Sequence, residues 1–224
     1  MVRGKRLMVD PGSLRITGMK WRQGLLWLAS PEKSLVALYD PESRMCKVKL
    51  TPPHPVADVC PSEEGLWLIA GGGKLGQRVV LWSLERNEEI RQFDCPDGAS
   101  AGVTLQERKL WLTHRNNRKL FCLDPSDGKV RWVIRTEKES FSPSSYGGEL
   151  WLVECDPGPL GHWSRREQAK YFFIRYDTAR EKVVERLAVP FKPSCMDLDG
   201  ERFWYAEQGK NGFSSILRNS LSKQ

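Results

Sequence analysis

The sequence predicts an all-β fold, a β-propeller of five four-stranded blades closed by the N-terminal strand, and three observations predict it. A tryptophan phrase recurs as GLLWLAS, GLWLIAG, KLWLTHR, GELWLVEC and ERFWYAEQ, placing Trp27, Trp67, Trp111, Trp151 and Trp204 at spacings of 40, 44, 40 and 53 residues. That period is close to the roughly 40 to 45 residues of a propeller blade. Around each tryptophan the same four short runs return, each alternating or rich in β-branched and aromatic residues and bounded by Gly, Pro, Asn, Asp or Ser. No unit carries the periodicity of an amphipathic helix.

The units divide at about 14–55, 56–98, 99–140, 141–191 and 192–219, one domain in all. The third shows the pattern most plainly, with AGVTLQ, KLWLTH, KLFCLD and KVRWVI as its strands and DPSDGK as the turn between the last two. The fourth follows the same order but is lengthened between its tryptophan run and YFFIRYD. The fifth supplies only SCMDLD, RFWYAEQ and SSILRNS before the chain runs out. Its missing outer strand is expected from KRLMVD at positions 5–10, which would close the ring and remove the free edges. A single meander with two partly apolar faces cannot bury its surface alone, so the repeated tryptophans are expected to pack between neighbouring blades.

Composition agrees with this reading. A chain of 224 residues with 40% apolar content can bury one core. No stretch approaches the roughly 18 apolar residues of a membrane span, and the basic start lacks the apolar run of a signal peptide, so a cytoplasmic protein is expected. The six cysteines form no CxxC pair and read as reduced core thiols. The net charge of +7 favours anionic partners.

KLFCLDPSDGKVRWVIR resembles the quinoprotein-type and YVTN-type propeller repeat, with its Asp-Pro turn leading to a tryptophan strand. PSCMDLDGERFWYAEQGKNGFSSILR is similar to the repeat of NHL, SMP-30-like and streptogramin-lyase-like propellers. The resemblance covers nearly the whole chain and implies a fold; it does not imply an activity, because such scaffolds host many.

Several motifs suggest chemistry. GGGKLG has dinucleotide-like glycine spacing, but a strand rather than a helix follows it, so a hairpin loop is expected. GASAG places Ser100 in a nucleophile-like setting, and His54 comes from the equivalent connection of the preceding blade, with Asp58 close by in sequence; these three are the weak catalytic candidates. DLDG reads as an ordinary turn, since Cys195 would stand at the first calcium-ligand position. The three histidines lack metal spacing, and neither a metal nor a cofactor is expected.

The departure from the repeat points to function. The long fourth-blade loop, residues 155–170, carries His162, Trp163, Arg165 and Arg166, an aromatic with cations beside it. The equivalent loops of the other blades contribute Lys74, Arg78, Arg115, Arg118 and Lys210 and should gather on the same face. The leading expectation is a non-enzymatic binding or scaffold protein that recognises a protein, peptide or small anionic ligand through this basic face. The alternative is a propeller lyase or hydrolase using Asp58, His54, Ser100, Glu154 or Glu207 near the channel. Nucleic acid is not expected, because the loops lack a dense basic run and a stacking series.

Overall fold

Each tryptophan phrase forms the second strand of an antiparallel meander. In the computed structural model, which describes residues 7–72, 76–157 and 169–224, the first blade comprises β1 (Gly18–Arg22), β2 (Leu25–Ser30), β3 (Leu35–Asp40) and β4 (Met45–Leu50). The second comprises β5 (Val56–Pro61), β6 (Leu66–Gly71), β7 (Gln77–Ser83) and β8 (Glu88–Asp94). In the third are β9 (Val103–Gln106), β10 (Lys109–His114), β11 (Lys119–Leu123) and β12 (Val130–Arg135). The fourth has β13 (Glu139–Tyr146), β14 (Glu149–Asp156), β15 (Lys170–Asp177) and β16 (Lys182–Val189), and the fifth β17 (Pro193–Leu198), β18 (Arg202–Glu207) and β19 (Ser214–Leu217). The five sheets form the expected five-bladed propeller.

Local chemistry fixes the turns. In DPSDGK, Asp124 Oδ1 accepts from the Ser126 amide at 2.8 Å and the Asp124 amide donates to the Lys129 carbonyl at 3.0 Å. Gly128 takes the left-handed φ of +71° that the turn needs.

The repeated tryptophans do pack between blades. Trp67 joins Val103 and Leu110 of the third blade, Trp111 joins Leu150 and Phe172 of the fourth, and Trp151 joins Phe203 of the fifth. Trp27 lies against Val59 and Leu68 of the second blade, and Trp204 stacks on Trp21 of the first with ring centroids 5.6 Å apart. Each tryptophan thus faces the blade that follows it around the ring.

The chain ends differ from the expectation. Among the described residues, the N-terminal segment does not complete the fifth blade, whose sheet has three strands. Instead Met8 pairs with Lys47 of β4, the Val9 amide donating to Cys46 and the Val48 amide to Leu7. The segment after it reaches the fifth blade: Leu14 and Ile16 are buried there, Gly212 donates to the Leu14 carbonyl at 2.8 Å, and Ser194 Oγ donates to the Ile16 carbonyl at 2.9 Å. At the other terminus β20 (Ser222–Lys223) crosses back to β16 of the fourth blade. Glu185 clamps this crossing through Arg218 at 2.6 Å and Lys223 at 3.4 Å. Both ends therefore tie adjacent blades together without adding a fourth strand to the last. Among the described residues, no helix is long and apolar enough to cross a membrane, and all six cysteines are free and buried.

Candidate functional site

The first strands β1, β5, β9, β13 and β17 surround the axis, and their registers place two tiers of side chains there. One tier contains the residue opposite each repeated tryptophan: Lys20, Cys60, Thr104, Ser144 and Asp197. All five are buried. The other tier lies two residues earlier and consists of Gly18, Asp58, Gly102, Ser142 and Cys195. Asp58 occupies the space its glycine neighbours leave: a Cβ on Gly18 or on Gly102 would overlap its carboxylate.

These side chains staple successive blades. Asp58 Oδ2 accepts from the Val103 amide of the third blade at 2.8 Å, Ser142 Oγ accepts from the Met196 amide of the fifth at 2.9 Å, and Asp197 Oδ2 accepts from the Trp21 amide of the first. Thr17 Oγ1 donates to the Ala57 carbonyl at 2.8 Å, joining the first blade to the second. Lys20 Nζ donates to the Met19 carbonyl at 3.0 Å and stands 3.4 Å from Asp58 Oδ2.

One buried ammonium therefore faces two buried carboxylates. Burial disfavours the charged Lys20, but Asp58 and then Asp197 outweigh it and raise its pKa. Desolvation raises Asp58 against the pull of Lys20. It pushes Asp197 up to about 6, with Lys20 and the Ser144 hydroxyl opposing. Each of these three residues is at most 3% exposed.

The catalytic candidates occupy different settings. Ser100 commits its hydroxyl to the backbone, donating to the Gly102 carbonyl at 2.9 Å and the Thr113 carbonyl at 3.2 Å. His54 is exposed and lines a cleft of about 260 Å³ with Gly71, Arg78 and Gln92. Asp58 stands at the axis, bonded as described. Glu207 pairs with Lys210 at 2.7 Å, and Glu154 with Arg186 at 3.1 Å.

Several of the loop side chains are held by neighbouring segments. Lys119 and Asn117 reach Asp97 of the segment entering the third blade, at 2.6 and 3.1 Å, and Lys138 reaches Asp156 at 2.7 Å. Arg78 donates to Gln92 at 2.9 Å and Arg118 to the Glu137 carbonyl at 3.2 Å. Lys74, His162, Trp163, Arg165 and Arg166 lie outside the described residues.

Arg115 is held differently. Its Nε is 3.0 Å from Glu139 Oε2, and its guanidinium lies over the Phe141 ring at 4.2 Å from the centroid. Nη2 and the Tyr171 hydroxyl beside it are both buried without a well-formed hydrogen bond, in weaker contact with each other and with the Cys155 thiol. Desolvation raises the pKa of Tyr171, with the neighbouring Cys155 thiol adding to it, so the phenol is a neutral donor at physiological pH. Phe191 and Tyr205, stacked at 3.8 Å and both partly exposed, belong to the same core cluster as Phe141 and Tyr171. The combination of a flat, pre-oriented guanidinium edge and a phenol suits a carboxylate or another planar anion. Its signal in sequence was the loop cation Arg115; Tyr171 and Phe141 looked like ordinary strand residues.

No protein-family model matches the sequence, and no curated protein matches it. Solved structures do. The glutaminyl cyclase of Myxococcus xanthus is similar at 10% identity with a TM-score of 0.65, over 97% of this chain and 96% of that one. A structural-genomics protein of unknown function from Bacteroides thetaiotaomicron VPI-5482 aligns at 11% identity and TM-score 0.58, over 95% of this chain and 72% of that one. Kuenenia stuttgartiensis hydrazine synthase aligns at 14% identity and TM-score 0.55, over 100% of this chain and 68% of that one. At these identities the likeness establishes a shared propeller architecture, and the chain is placed by its fold alone.

Proposed function

We propose that this propeller is a non-enzymatic binding protein that recognises an acidic peptide or protein segment on its loop-rich face, with Arg115 and Tyr171 receiving a carboxylate. The observation that carries the reading is the buried Nη2 edge of Arg115 beside the Tyr171 hydroxyl, neither of which makes a well-formed hydrogen bond. Buried donors are rarely left without an acceptor, so an anion that reaches this edge gains two charge-assisted or neutral hydrogen bonds. Phe191 and Tyr205 offer adjacent apolar contact of the kind that anchors peptides. The six buried free thiols fit a reducing compartment such as the cytoplasm. The test is a peptide array in which acidic sequences are printed beside their amide isosteres. Selective retention of the acidic set by wild-type protein, lost in Arg115→Met, supports the reading; equal retention of both sets rejects it.

A second reading has one observation in its favour. Asp197, with a pKa of about 6, could exchange a proton near neutrality, and the glutaminyl cyclase matches this chain along nearly its whole length. It ranks second because Lys20, Asp58 and Asp197 are almost fully buried. Release of ammonia from a peptide with N-terminal glutamine, lost in Asp197→Asn, would promote it.

A further inference from the structure

A cleft of about 360 Å³ opens between the third and fourth blades, on the face of the fourth blade turned away from Tyr171. Glu154 and Arg186 stand in a charged wall that also carries Glu137, Glu181 and Glu185 with Arg135 and Lys182, and Ile174, Tyr176, Val183 and Val184 form the apolar sides. Glu154 is built into the sheet, its side chain only 3% exposed. Arg186 Nη2 is 3.1 Å from both carboxylate oxygens but forms a well-directed bond only to Oε2. Glu154 Oε1, though ion-paired with Arg186 Nη2, and Arg186 Nε are each buried without a well-directed hydrogen bond. The guanidinium is kept in place by the Phe172 ring, 5.5 Å from its centroid. Burial raises the pKa of Glu154 while Arg186 counters it.

The cleft thus presents one unmet acceptor and one unmet donor side by side. A simple anion would satisfy Arg186 and be repelled by Glu154; a simple cation would do the reverse. A ligand that carries both charges on adjacent atoms satisfies both without adding net charge to a partly buried site. The apolar sides ask for a short aliphatic group. We propose that this cleft binds a free α-amino acid with an aliphatic side chain, its ammonium on Glu154 Oε1, its carboxylate on Arg186 Nε, and its side chain against Ile174, Tyr176 and Val183. The site is independent of Arg115 and of the peptide-binding reading.

Calorimetric titration with L-leucine, leucinamide and 4-methylpentanoate separates the contributions. The amide lacks the carboxylate and the acid lacks the ammonium. Leucine should saturate with a dissociation constant below about 1 mM, and each analogue should bind at least about tenfold more weakly. Glu154→Gln and Arg186→Gln should each weaken leucine by about tenfold or more. Because either change strands a buried partner, Val184→Trp provides the control: Val184 is 38% exposed at the lip, and an indole there fills the cleft without touching the charges. That variant should unfold like the wild type and give no leucine heat. Absence of saturation on folded wild-type protein up to about 10 mM, equal affinity for all three compounds, or full leucine binding by folded Val184→Trp would each overturn the proposal.

Discussion

Replacing Lys20 by Met removes the ammonium between two carboxylates at the axis while keeping the length of the side chain. The Lys20 to Asp58 separation of 3.4 Å corresponds to about 5 kcal/mol of Coulomb attraction at an effective dielectric of about 20. Much of that offsets the desolvation of the three groups, but removing one partner leaves the others buried and uncompensated, which costs about 3–5 kcal/mol. The loss should depend on pH. Without Lys20 the carboxyl groups take up protons at higher pH, and a protonated pair no longer repels, so the deficit at neutral pH should shrink towards pH 5. Urea unfolding followed by tryptophan fluorescence measures both values. A loss below about 1 kcal/mol at pH 7, or the same loss at both pH values, would refute the idea that Lys20 balances Asp58 and Asp197.

Three further outcomes are expected. The unfolded chain releases the Asp197 proton near the ordinary 3.8 while the folded protein retains it up to about 6. In that window the folded state binds the extra proton, so this residue's contribution to stability falls as pH rises. Relative to the wild type, Asp197→Asn should therefore gain ~3 kcal/mol between about pH 4 and pH 7, and a pH-independent difference in urea titrations would exclude it. Thiol titration should count six groups in the denatured chain and almost none in the folded one, since Cys60 is pushed up to about 11 and Cys95 and Cys195 to about 12 by burial. Gly102→Ala, which forces a Cβ against Pro143 and Asp58 at a φ of +154°, should lower stability by about 1–3 kcal/mol in thermal unfolding; an unchanged melting temperature would mean the axis is looser than described.

The propeller was legible because its signal is redundant: five tryptophans at a blade-length period each fix a second strand and an inter-blade contact. The place of Asp58 near the channel was legible for the same reason, as it belongs to a first strand. Lys20 was overlooked although the same count exposes it. It stands opposite Trp27 as Asp197 stands opposite Trp204, and a lysine in GMKWR departs from an otherwise small or neutral tier. Partnership between side chains far apart in sequence was not legible at all. Glu154 and Arg186 are 32 residues apart and meet only because β14 and β16 flank β15; Arg115 comes from the third blade and rests on Phe141 of the fourth. The N-terminal segment was misplaced because KRLMVD has strand character but no feature that distinguishes the edge of the fifth blade from that of the first. Pairing with β4 buries Val9 against the core of the first blade while Leu14 and Ile16 reach the fifth.

The account stands or falls on Arg115 as the receptor of an anionic group. The direct measurement is a double-mutant cycle between Arg115→Met and neutralisation of the carboxylate in the best acidic peptide from the array, read as four dissociation constants on protein whose circular dichroism matches the wild type. If Arg115 receives that carboxylate, each single change should weaken binding by about tenfold or more, and the second change should add almost nothing to the first. Fully additive losses, or an Arg115→Met protein that binds the acidic peptide as tightly as the wild type, would contradict it.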